Sequence, residues 1–135
     1  MDAPFGLMLI HLDTSVLVDA FTGPRRSLPQ VTAATAAGDV LAFCAIVAYE
    51  WLRGARAETD AAAVMRVFET RTIVPFSHTE ADLAASLYTR VPRARQRHAD
   101  LAIAACAIER GARLWTLNVR DFKDIPGLEL YRAPD

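Results

Sequence analysis

Four short apolar runs alternate with stretches of helical periodicity, and this alternation leaves few folds open to the chain. Residues 7–12, 40–44, 73–76 and 113–117 have the length and apolar or β-branched content of buried strands. Between them, the spacing of apolar residues predicts a helix from Thr14 or Ser15 through Ala20, and further helices over 28–37, 46–56, 59–70, from Ser77 or Thr79 to Arg90, and over 101–110. Residues 128–131 read as a fifth strand, and "NVRDFKDIPG" as a loop or short helix. Strands that alternate with helices pair in parallel, because each connection must cross back over the sheet. The expectation is therefore an α/β protein: a three-layer α/β/α sandwich on a mainly parallel sheet of four to five strands. A sheet covered on both faces needs an apolar chain, and 53% hydrophobic against 23% charged residues supplies it. The 135 residues make one domain, 1–135, with residues 1–7 a loose extension ahead of Met8.

The charge balance narrows the function classes. Fifteen basic residues face sixteen acidic ones, for a net charge of −1, which argues against coating nucleic acid by bulk charge and leaves room for a local basic patch. Cys44 and Cys106 lie inside apolar segments without Cys-x-x-Cys or Cys/His spacing, so they read as reduced core thiols rather than zinc ligands. No apolar run reaches the roughly 18 residues that a membrane helix needs, and "MDAPFGLMLI" lacks the basic leader of a signal peptide. A cytoplasmic protein is expected.

In an open parallel sheet, ligands bind beyond the carboxyl ends of the strands. Asp13 stands just past the first strand; Thr116 ends the fourth, with Asn118 and Asp121 just after it. Glu50 interrupts the otherwise apolar "AIVAYEWL", on a helix face shared with Val47 and Gly54. Asp100 opens the helix "DLAIAACAIERG", on the side of its apolar stripe. Each acid has an ordinary explanation by itself. Asp13 or Asp121 can cap a helix or turn, Glu50 can sit exposed beside Arg53, and Asp100 can answer the helix dipole.

The joint pattern weighs more than its parts. Carboxylates meeting in one cleft repel one another and need a cation. An oxygen-only set without a His or Cys cluster points to Mg²⁺ or Mn²⁺ rather than zinc.

Here the sequence resembles a known family. "LDTSVLVD" around Asp13, "VAYEWLRGA" around Glu50, "RHADLAIAA" around Asp100 and "LWTLNVRDF" around Asp121 match the PIN-domain nucleases in order and spacing, and among them the VapC toxins of bacterial toxin–antitoxin pairs. The resemblance runs from about Met8 to Tyr131; Leu101 stands where many relatives carry Ala. It implies a flavodoxin-like α/β/α fold, a metal-dependent endoribonuclease, a homodimer and a VapB-like antitoxin that blocks the cleft. By position, Asp13, Glu50, Asp100 and Asp121 would be the acidic, metal-holding set, and Ser15, Thr116 and Asn118 the polar residues that support it.

RNA must also be gripped against an acidic site. Arg93, Arg95, Arg97 and Arg120 are the candidates for flanking phosphates, against the alternative of a solvated connection. Phe21, Tyr49 and Trp51 can stack bases or simply pack, and His11 reads as a core or edge residue. Three other readings compete: a PIN-type RNA-processing enzyme outside any toxin–antitoxin pair, and Mg²⁺-dependent phosphoryl-transfer domains of the receiver or haloacid-dehalogenase type. The dehalogenase type wants Asp-x-Asp after the first strand, where this chain has Ser15; a receiver wants a Lys at a late strand end, where Lys123 is the sole candidate and follows Asp121.

Overall fold

The computed structural model describes residues 8–54, 62, 64, 66, 68 and 73–134. Within them, β1 (Leu9–Leu12), β2 (Val40–Cys44), β3 (Ile73–Val74) and β4 (Arg113–Trp115) form one sheet in the order β3-β2-β1-β4, with every pairing parallel. The helices are α1 (Thr14–Phe21), α2 (Leu28–Ala36), α3 (Ala45–Arg53), α4 (His78–Tyr88) and α5 (His98–Glu109), with short 3₁₀ turns at Ala94–Arg97 and Val119–Asp121. In β1 and β2, Ile10, His11, Leu12, Leu41, Ala42, Phe43 and Cys44 are all buried, alternate residues included. Both faces of the sheet are therefore covered, as the α/β/α expectation requires.

The core explains several sequence features. Seven successive residues of α5, Leu101–Ala107, are buried, so its alanines let neighbouring elements approach on every side. Trp51 is fully enclosed, which settles its role as packing; burying such a side chain is worth about 1.5–3 kcal/mol. Phe21 and Phe43 both meet the ring of Phe68 edge-on. His11 is buried, and neither ring nitrogen has a hydrogen-bond partner among the described residues. Burial, aided by the charge of Arg110, pushes its pKa down to about 4, so the ring is neutral at pH 7.

The differences from expectation have local causes. The fifth strand shrinks to a single parallel bridge, Leu114 to Leu130, made by Leu114 N–H to Glu129 O and Tyr131 N–H to Leu114 O. Pro126 and Gly127 turn the chain immediately before it, so only three residues run alongside β4. The cap of α1 is neither Thr14 nor Ser15. The helix begins at Thr14, and Asp13 holds the cap position without a side-chain capping bond. The helix expected to reach Arg56 ends at Arg53, where Gly54 turns to extended backbone. Of the helix expected over 59–70, Ala62, Val64 and Arg66 are helical and Phe68 is a bend; its other positions lie outside the described residues.

Candidate active site

The strand order makes the site. Chain progress from β1 through β2 to β3 runs one way across the sheet, and β4 lies on the other side of β1. The crevice at such a reversal, beyond the strand ends, is where open α/β sheets bind ligands. Leu12 pairs with Trp115, so the next residues, Asp13 and Thr116, leave the sheet side by side, and Asp13 N–H bonds to Trp115 O at 2.9 Å.

Asp13 is 4% exposed and held by two hydroxyls. Ser15 Oγ donates to Asp13 Oδ2 at 2.8 Å and Thr116 Oγ1 donates to the same oxygen at 2.7 Å. Each hydroxyl in turn accepts a backbone amide: Leu117 N–H to Ser15 Oγ and Asn118 N–H to Thr116 Oγ1, both at 3.0 Å. This amide–hydroxyl–carboxylate chain fixes one Asp13 oxygen and polarises the donors toward it. Oδ1 receives no hydrogen bond from the described residues.

Glu50 reaches the same cleft from α3. Thr14 Oγ1 donates to Glu50 Oε1 at 2.6 Å, tying α1 to α3 across 36 positions of sequence. Among the described residues no ion pair joins Glu50 to Arg53; Arg53 instead lies 5.3 Å from the centroid of the exposed Tyr49 ring. Asp100 enters from the first turn of α5, half-buried. Its pKa rises from 3.8 to about 6, through desolvation first and then the charges of Asp13, Asp121 and Glu50, against the pull of Arg97. Asp13, Glu50 and Asp100, from three elements, thus line one cleft of about 600 Å³ together with a fourth acid, Asp19, and with Thr14, Ser15, Arg53 and Asn118.

Two of the expected residues differ in placement. Asp121 is exposed on its 3₁₀ turn and does not line the cleft, although Asp100 feels its charge. Arg97 cannot serve as an RNA clamp: it is 7% exposed and spent on internal acceptors, chiefly the carboxylate of Asp124. Burial of a guanidinium demands such partners: Nη1 and Nη2 are both taken, and Nε, though without a hydrogen-bond partner among the described residues, is buried out of a phosphate's reach. Arg93, Arg95 and Arg120 are exposed. Thr14 reads from the sequence as a helix cap, and Asp19 and Asp124 as surface or capping acids, Asp19 standing out only by its closeness to Asp13. Asp19 accepts a 2.5 Å bond from the buried Ser27, a link that only the folded turn between α1 and α2 reveals.

Asp13, Glu50 and Asp100 are the acids that face the cleft from three elements. As they stand, no three His, Cys, Asp or Glu side chains among the described residues are placed to hold a metal ion.

The PIN-domain family model matches residues 10–128, nearly the whole chain. The chain belongs to the PIN-domain family. PIN domains are nucleases, which places this chain among enzymes acting on nucleic acids and sets aside the receiver and dehalogenase readings. No curated protein matches the chain. Among solved structures, the PIN domain is similar to VapBC2 from Rickettsia felis bound to a DNA fragment from their promoter, at 26% identity and TM-score 0.71, covering 92% of this chain and 98% of the other. It is similar to a toxin–antitoxin complex from Klebsiella pneumoniae at 25% identity and TM-score 0.67, over 88% and 94% of the two chains. DNA-bound VapBC from Salmonella typhimurium shares the fold at 18% identity and TM-score 0.71, over 93% and 98%. No helix among the described residues is long and apolar enough to cross a membrane.

Proposed function

We propose that this PIN domain is a Mg²⁺- or Mn²⁺-dependent endoribonuclease, the VapC-like toxin of a type II toxin–antitoxin pair, working in the cytoplasm. The observation that carries this reading is the convergence of Asp13, Glu50 and Asp100 on one cleft, where burial first, and then the charges of Asp13, Asp121 and Glu50, raise the pKa of Asp100. A carboxylate destabilised by its neighbours is a site short of positive charge, and oxygen donors suit a hard divalent ion. Asp13, Glu50 and Asp100, with Asp121 nearby, would be the residues to hold such an ion, which would supply Lewis-acid activation of water and neutralise charge on the phosphoryl oxygens.

The chain's own residues do the rest. Ser15 and Thr116 hold Asp13 in one orientation, and Thr14 does the same for Glu50, so the acids need little reorganisation when substrate arrives. Asn118 stands on the cleft wall, with its backbone amide fixed to Thr116, where its side-chain amide can meet a phosphate or sugar oxygen. The exposed Arg93, Arg95 and Arg120 offer charge to flanking phosphates, which an acidic cleft alone would repel.

The toxin role and the VapB-like antitoxin rest on the similarity to VapBC2 from Rickettsia felis and to the Klebsiella pneumoniae complex, and the homodimer on the family resemblance alone. The test is cleavage mapping across total RNA with wild type and Asp100→Asn side by side, joined to expression in a bacterial host. Discrete cuts made by wild type alone, with growth arrest relieved by a co-expressed small neighbouring protein, support the proposal. Cuts without growth arrest would leave an RNA-processing enzyme, and identical fragments from both proteins would remove the nuclease reading.

A further inference from the structure

Arg97 lies three residues before Asp100, at the end of the 3₁₀ turn Ala94–Arg97 that leads into α5. Its guanidinium makes four hydrogen bonds. Nη1 donates to Pro92 O and to Asp124 Oδ2, both at 3.1 Å; Nη2 donates to Asp121 O at 2.8 Å and to Asp124 Oδ1 at 2.5 Å. The contact with Asp124 is two-pronged, and the two carbonyls lie on different segments. One buried cation therefore joins the loop before α5 to the turn that carries Asp121.

That turn has few other fixed points. Its backbone bonds are local: Asp121 N–H to Asn118 O, Phe122 and Lys123 N–H to Val119 O, and Ile125 N–H to Phe122 O. Phe122 and Ile125 are buried and hold the turn to the core by packing. The Asp121 side chain is exposed, so the backbone beneath it decides where its carboxylate stands. Among the described residues, only the hydrogen bonds of Arg97 tie this stretch to the segment that leads into α5.

We propose that Arg97 is a positioning residue: by gripping the Asp121 carbonyl and the Asp124 carboxylate together, it sets the place of the Asp121 carboxylate relative to Asp100. A Lys at this position keeps the charge but has no planar fork, so it cannot hold two carbonyls and a carboxylate in one plane. The geometric part stands by itself; its kinetic consequence rests on the nuclease reading above.

The test uses the full chain and the variants Arg97→Lys, Asp124→Asn and Asp121→Asn, with Arg97→Lys/Asp121→Asn to close a double-mutant cycle. The first measurement needs neither metal nor RNA. Amide hydrogen exchange of Phe122 and Lys123 should quicken about tenfold or more in Arg97→Lys, while the interior of α5 stays protected. Asp124→Asn, which removes the carboxylate from the partly exposed partner, should quicken the same amides to a lesser degree and serves if Arg97→Lys does not fold. The second measurement is Mn²⁺-dependent cleavage of a short RNA. Arg97→Lys should lower kcat about ten- to hundredfold with KM within about twofold. In the Asp121→Asn background the same change should cost about twofold or less, because the residue it acts through is gone. Unchanged exchange in the turn for both variants would overturn the proposal. So would additive losses in the cycle, which mean a general structural role, or a rise in KM alone, which means an RNA contact. A wild type that cuts no RNA with Mn²⁺ would sink the nuclease reading while the exchange measurement still decides the positioning.

Discussion

Replacing Asp100 by Asn should make the metal-free protein more stable at neutral pH while removing its activity. The folded pKa of Asp100 lies above its ordinary value, at about 6 against 3.8, so folding is penalised wherever both folded and unfolded states are ionised. The penalty is complete above pH 6. It fades as pH falls through about 6, where the folded state takes up its proton first. At about 1.4 kcal/mol per pKa unit the displacement corresponds to ~3 kcal/mol. The side chain is only half-buried, and screening by water reduces this to about 1–2 kcal/mol. For a chain of this length that is a rise in Tm of about 3–8 °C for Asp100→Asn at pH 7.5.

The assay is thermal unfolding of wild type and Asp100→Asn in chelator, at steps from pH 7.5 to pH 5. His11 complicates either curve alone. Its pKa is lowered to about 4, so its contribution to stability is present above the unfolded value near 6.5 and is lost as pH falls from there. Both proteins carry His11, and their difference cancels it. The gap should be widest at pH 7.5 and close towards pH 5. An Asn variant less stable than wild type at pH 7.5, or a gap that does not narrow on acidification, would refute the view of Asp100 as a carboxylate destabilised by burial and by the like charges beside it.

Thr116→Val keeps the shape and deletes both the 2.7 Å bond to Asp13 and the acceptor of Asn118 N–H. It should cost about 1–3 kcal/mol of stability by chemical denaturation and lower kcat more than it raises KM. Ser77→Ala removes a hydroxyl that donates to Glu80 at the start of α4. It should cost about 0.5–2 kcal/mol in the same assay and leave RNA cleavage unchanged, because α4 does not line the cleft.

The parts that were legible in the sequence were those set by short-range pattern. Strand–helix alternation gave the layers, and the rule that ligands sit beyond parallel strand ends brought Asp13 and Thr116 together before any coordinates. Glu50 stood out because it broke an apolar helix. What stayed hidden depended on partners far along the chain. Arg97 reads as a phosphate-binding residue in "RVPRARQRH", and nothing local shows that Asp124, 27 positions on, takes up its charge. The hydroxyls of Thr14 and Ser15 resemble helix caps because a hydroxyl after a strand usually caps; here two crowded carboxylates compete for them and win. Residues 128–131 have the composition of a strand, but a turn at Pro126 and Gly127 leaves them one bridge.

The most direct measurement is cleavage of a defined RNA by the purified chain in Mg²⁺ or Mn²⁺, with and without EDTA, set against Asp13→Asn/Asp100→Asn. Cleavage that needs the ion and falls at least about a thousandfold in the double variant is the expected result. Breakage that continues in EDTA, or at an undiminished rate when both carboxylates are gone, would contradict the claim that these acids gather to hold a divalent cation for phosphodiester hydrolysis.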